Sequence, residues 1–193
     1  MPMASVGSPS GGDVIYSAMD VANFYISFFD GTEDPMTKTR VEMFVFFAQV
    51  WSLVKNGHPL FNDDIRAYKY GPVVRSVLYT FYDVADCDPL SVRGDFDIDL
   101  FSDEDINAML DVAMFLRDKS TAAISDMTHV EGGPWDAVHS DSGEPAEITD
   151  ESILEYYRGR LSIPDHMSYL LSKLPVEGRI DENGMAVLPE DWD

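Results

Sequence analysis

The chain has 193 residues, 45% apolar and 25% charged, and its 35 acids against 13 bases give a formal net charge of −22. That length fits one domain with tails, and that apolar content suffices for a core. So acidic a chain repels phosphate backbones and anionic headgroups, which argues against direct binding of nucleic acid or membrane surface and favours a basic protein partner.

Residues 1–12 are rich in Ser, Gly and Pro and are expected to be a disordered segment without the basic start of a secretory signal. Asp13 is predicted to cap a helix running to about Phe29, with Val14, Ala18, Val21, Ala22, Tyr25 and Phe28 at helical spacing. A second helix is predicted from about Thr37 to Asn56, ended by Gly57. Met43 to Val54 is the most apolar run and too short to span a bilayer; Met43 to Ala48 within it is apolar on every side, so the helix should be central, with Phe47, Trp51 and Val54 in the core. Residues 65–70 read as a strand, and Gly71-Pro72 as the start of a third helix that turns Val73, Val74, Val77, Leu78 and Phe81 inward. The single cysteine, Cys87, permits no intrachain disulfide, fits a reducing cytoplasm, and is expected to be a small core residue.

Asp95 to Leu100 alternates polar and apolar, which predicts a half-buried strand pairing with 65–70. Ser102 with Asp105 reads as a capping box before a helix over about 103–119 that buries Ile106, Met109, Leu110, Ala113 and Leu116. Ser120 should cap a short helix to Met127, Pro134 should start another, and Thr149 should cap one ending near Tyr157. Beyond residue 158 an appendage is expected, with an amphipathic helix over 165–174 and an acidic tail. The fold class is therefore mainly α (α+β), a helical domain with a small antiparallel sheet.

No catalytic or metal-binding arrangement is legible. Asp95, Asp97 and Asp99 start like a calcium loop, but Leu100 stands where the turn needs Gly and Ile106 where a bidentate Glu is needed. His58, His129, His139 and His166 form no zinc spacing, and no nucleophile elbow or phosphate loop occurs. No metal, no cofactor and no enzymatic activity are expected. The acids are uneven: 20 fall between Tyr82 and Glu155 against Arg93, Arg117 and Lys119 alone, a surface suited to steering a basic partner.

Two stretches carry a resemblance. One is Phe47-Ala48-Gln49-x-Trp51, Gly57-x-Pro59-Leu60-Phe61-x-x-Asp64, and Ala67-Tyr68-Lys69-Tyr70-Gly71-Pro72-Val73-Val74. The other runs from Leu116 through Thr128-His129-x-Glu131-Gly132-Gly133-Pro134-Trp135 to the helix with Ile153, Tyr156 and Tyr157. Together they resemble the Panacea antitoxin domain, also called the SocA-like or phage-associated protein family, over roughly residues 13–158, with residues 159–193 outside it. The sequence departs from the family where the second helix reads Thr39-Arg40-Val41-Glu42-Met43-Phe44 and where Tyr68 replaces a frequent Trp.

The resemblance implies a cytoplasmic antitoxin that needs no cofactor and neutralises a co-encoded toxin enzyme by direct protein contact. Toxic small alarmone synthetases, which pyrophosphorylate nucleotides or tRNA, are prominent among the partners of such domains. The expected partner is thus a toxin with a basic nucleotide- or RNA-binding surface. The alternatives are an adaptor that delivers the toxin to a protease, as one branch of the family does, and an acidic mimic of nucleic acid. The contact is expected on Asn62, Asp63, Asp64, Arg66, Tyr68, Tyr70 and Arg75, a turn-strand-turn mixing Tyr, Arg and Asp, the first two of which are favoured at interface hot spots; the competing reading has Tyr68 and Tyr70 buried, merely holding the third helix in place. Asp63 and Asp64 are expected to be free acids whose reversal leaves folding intact.

Overall fold

The computed structural model describes residues 16–173 and two short strands, 179–180 and 186–187, which pair antiparallel. The expected N-terminal segment, Asp13 and Val14, Leu174 and most of the acidic tail lie outside the described residues.

Helix α1 is Ala18–Phe28. Its cap is Ser17, whose side chain accepts from the Asp20 amide while Asp20 accepts from the Ser17 amide. That complete capping box, rather than Asp13, starts the helix. Helix α2, Lys38–Lys55, is central as expected and packs against α1, against a strand of the sheet and against the four helices that follow it. It ends where Gly57 adopts φ 80° and its amide reaches the Ser52 carbonyl. Phe47 and Trp51 are in the core, and Val54 is half-buried against it.

Strands β1 (Ile65–Tyr68) and β2 (Gly71–Val74) form a hairpin, so the Gly71-Pro72 step is strand, and helix α3 begins only at Arg75 and runs to Thr80. The third strand, β3, is Glu147–Ile148, giving the order β2-β1-β3. The predicted partner, 95–100, is no strand: Asp97 caps a 3-10 turn over Ile98–Leu100, and both apolar side chains at its ends are half exposed. The proline is accommodated because β2 is an edge strand, where its missing N–H breaks no ladder bond.

Helices α4 (Asp103–Leu116), α5 (Thr121–Thr128) and α6 (Asp150–Tyr157) are capped by Ser102, Ser120 and Thr149. The Ser102 box is only half formed, because the Ser102 amide donates to the Tyr16 hydroxyl at 3.0 Å. Pro134 opens a run of turns rather than a helix. Cys87 is exposed, not core. Helix α7 (His166–Lys173) packs on α4, and Ile163 before it is buried, so this part of the expected appendage is joined to the main core.

The buried polar side chains of α2 staple the loops around it. Gln49 accepts from the Leu60 amide at 2.9 Å and donates to the Phe61 carbonyl and to Asp150, each at 3.0 Å. Ser52 donates to the His58 carbonyl. Glu42 accepts from the Val74 amide at 2.8 Å through Oε2, while its buried Oε1 has no partner among the described residues.

Burial pushes the Glu42 carboxyl up to about 8, the Val74 bond only partly offsetting it. The unfolded chain releases this proton near 4.5. Between those values the folded state holds a proton that the unfolded state has lost, so stability falls as pH rises, by at most about 1.4 kcal/mol for each pH unit crossed. Glu42→Gln keeps the acceptor for Val74 and removes the charge. Its melting temperature should exceed the parent's at pH 8, with a flatter decline from pH 5; an unchanged pH dependence in thermal melts would refute this origin.

Candidate interaction surface

The hairpin reverses over Lys69 and Tyr70, since Tyr68 pairs with Gly71. Neither turn residue has positive φ; Gly71 does, at 129°. A Cβ there would also stand 3.0 Å from Met43 Cε and 3.2 Å from Thr128 Oγ1, so Gly71 is required both by its backbone and by its neighbours. Ile65, Ala67, Pro72 and Val74 face the core, while Arg66, Tyr68 and Val73 are half-buried on the outer side.

The second familiar stretch supports the first. Trp135 Nε1 donates to the Tyr68 carbonyl at 2.8 Å. The Trp135 ring stacks on His139 at 4.1 Å, and His129 packs edge-on against it at 3.9 Å. Burial lowers the His129 pKa from its ordinary value, with Asp126 opposing, which favours the neutral ring here. Gly133 leaves room for the turn that aims Trp135, because a Cβ would fall 2.9 Å from the Val130 carbonyl oxygen. Two motifs some 60 residues apart in sequence are thus one structural unit.

The predicted contact residues divide into two kinds. Tyr70 is 70% exposed at the tip, yet its backbone is fixed by the Ser125 hydroxyl, which donates to its carbonyl at 2.9 Å. Lys69 lies over the Tyr70 ring. Arg75 sits beside the Tyr68 hydroxyl and donates to Glu144 at 2.9 Å. Asp64 and Arg66 pair at 2.7 Å, and Asn62 is exposed. Asp63 differs: it accepts from the Ala18 amide at 3.1 Å and from the Ser76 hydroxyl at 2.5 Å, tying the starts of α1 and α3 to the loop.

Asp63 is therefore a folding residue, not a free acid. Asp63→Lys should cost about 1–2 kcal/mol through loss of a helix-start bond and a side-chain bond. Tyr70→Ala should stay within about 0.5 kcal/mol. Parallel melts of the two variants check this; equal stability would contradict the assignment.

Beside the hairpin lies a depression of about 200 Å³ lined by acids that sequence reasoning did not assign to the contact: Glu147, Asp150 and Glu151, with Asp63 and Asp64 opposite. Burial raises the Asp150 pKa from its ordinary value, partly offset by the Gln49 amide. Glu147 reaches this place through pairing with Arg66 across β1 and β3. A two-residue strand carries no periodicity that could have announced it.

Among the described residues, one His-and-acid group has metal-ligand spacing, Asp111, Asp165 and His166. Asp111 already accepts from Lys55 Nζ at 2.6 Å and Trp51 Nε1 at 3.1 Å on one oxygen and from the His166 amide and ring at 2.8 Å on the other. An ammonium on the same carboxylate opposes a divalent cation, so the group is better explained as a structural hub. No described helix is long and apolar enough to cross a membrane.

Residues 44–136 match the family model described as antitoxin SocA-like, Panacea domain. Antitoxin SocA of Caulobacter vibrioides (strain NA1000 / CB15N) is 24% identical over 176 residues, covering 82% of this chain and 93% of that protein. No solved structure matches. The resemblance read from the two motifs is borne out by these matches.

Proposed function

With a SocA-like Panacea domain at residues 44–136 as the premise, we propose that this chain neutralises a co-encoded toxin enzyme by direct contact through the tip and flanks of the β1–β2 hairpin. The observation that carries this reading is Tyr70, a largely exposed aromatic on a backbone held from below by Ser125 and Trp135. A side chain whose support is already ordered loses less entropy on binding, and tyrosine is favoured at hot spots. At the other end of the hairpin, Asp64, Glu147 and Glu151 line one depression and Glu144 pairs with Arg75; these acids complement a pocket lined with Lys and Arg, as a toxin that handles nucleotide phosphates requires. A toxic small alarmone synthetase, which handles nucleotide phosphates, is a toxin of that kind.

The test uses Tyr70→Ala and Asp64→Lys separately, with the toxin encoded beside this chain. Truncating a hot spot costs about 2 kcal/mol or more, which is roughly thirtyfold in Kd. Both variants should bind at least about tenfold more weakly and rescue growth poorly while melting like the parent. Native affinity in both would move the contact off the hairpin. Rescue by the parent chain should persist in cells lacking the housekeeping proteases; its loss there would favour delivery over occlusion.

A further inference from the structure

We propose that the segment 92–100, together with the end of α1, docks a basic amphipathic helix of a protein partner, on a surface separate in sequence from the hairpin contact. The apolar side chains carry this reading. Asp95 to Leu100 alternates acid and apolar residues, yet it closes into a turn instead of joining the sheet. Ile98 and Leu100 are each 49% exposed, and Phe28 and Val92 each 38%. Phe28 stacks on Phe24 at 6.1 Å, Phe24 meets Phe101 edge-on at 6.1 Å, and Phe101 lies 6.4 Å from Phe96. A strip of rings thus runs from the end of α1 to the turn, with half-exposed side chains at its border. Apolar side chains gathered in this way and rimmed by polar groups mark interaction surfaces.

The segment is held at both ends. The Leu90 amide donates to the Met36 carbonyl at 2.8 Å. Buried Asn23 of α1 meets the backbone of Arg93 twice, donating to its carbonyl at 2.9 Å and accepting from its amide at 3.0 Å. At the other end Phe101 is buried. Little freedom is left to lose when a partner arrives.

Charge and backbone set the chemistry of the partner. Asp95, Asp97 and Asp99 are exposed between the apolar positions, and residues 94–116 hold no Lys or Arg. The base just before them, Arg93, faces Asp83 at 3.5 Å. Acids interleaved with exposed apolar side chains are complemented by Lys or Arg set beside apolar residues. The backbone of the turn is already engaged. The Asp99 amide donates to the Asp97 side chain, and the Leu100 and Phe101 amides donate to the Asp97 and Ile98 carbonyls. That leaves no ladder for an added strand. A helix satisfies its own backbone and offers side chains alone, so it is the form that fits.

The experiment is fluorescence anisotropy of a labelled peptide, KLLKKLLKLLKKLL, whose spacing makes a basic amphipathic helix, titrated with the full chain. Saturable binding is expected, weakened by salt and lost in the isomer with Glu in place of every Lys. Ile98→Ser/Leu100→Ser and, separately, Asp95→Asn/Asp99→Asn should each weaken it at least about fivefold while melting close to the parent, because these side chains are exposed. The charge variant removes no apolar contact, so it tests the surface even if the serine variant melts early. Tyr70→Ala on the hairpin should leave the affinity unchanged. Equal binding of the Glu isomer, native affinity in the charge variant or in a folded serine variant, or as large a loss in Tyr70→Ala would overturn this surface.

Discussion

Replacing Trp51 by alanine should lower the melting temperature by roughly 6–20 °C, the range that follows from about 3–5 kcal/mol for a buried aromatic in a chain of this size. Trp51 is 9% exposed on α2, and its indole N–H donates to Asp111 on α4, so it joins the two helices by packing and by a bond to a buried charge. The truncation leaves a cavity and removes one of the donors that stabilise Asp111. Trp51→Phe separates these terms: it fills most of the space and forfeits the bond, so it should cost about 1–3 kcal/mol. Thermal melts of the pair give the result, and an alanine variant that melts like the parent would mean that α2 is not the centre of the fold.

Asp111→Ala should be comparably damaging and should also release the end of the described domain. The carboxylate is buried and joins three elements: Trp51 and Lys55 from α2, its own helix α4, and the start of α7 through the His166 amide and ring. Burial alone would raise its pKa, but the bonds from Lys55, Trp51 and His166 outweigh this and hold it below the ordinary carboxylate range. With the folded value depressed, the stability it contributes is present above the unfolded pKa, near 3.8, and is lost as pH falls below that. Deleting it strands buried donors and should cost about 3–5 kcal/mol. Limited proteolysis should then cut between residues 158 and 166 sooner than global unfolding allows. Native-like resistance together with a native melt would refute the hub.

What was legible follows from period and capping. Helix α2 declared itself because Met43 to Ala48 is apolar on every side, and α4, α5 and α6 because Ser102, Ser120 and Thr149 stand where caps must. Two of the misreadings share a cause: a local pattern was read without knowing its partner strand. Asp95 to Leu100 alternates, yet no neighbouring strand meets it, so Ile98 and Leu100 stay half exposed. Gly71-Pro72 looks like a helix start, but Gly71 is in a left-handed conformation that turns a hairpin, and Pro72 is tolerated on its edge. For the candidate surface, Tyr70 and Arg75 were readable as residue types suited to interfaces, whereas the structural commitment of Asp63 was not. Its partners, Ala18 and Ser76, are 45 and 13 residues away. The role of Ser125 beneath Tyr70 was equally hidden, since a serine on a short helix carries no signal of what its hydroxyl meets.

The most direct measurement is photo-crosslinking of the full chain to the toxin encoded beside it, with p-benzoylphenylalanine placed at Tyr70 and, separately, at Met167 on the exposed side of α7. Contact through the hairpin predicts a covalent adduct from position 70 and little from position 167. An adduct from 167 alone, or none from 70 although the two proteins co-purify, would contradict it.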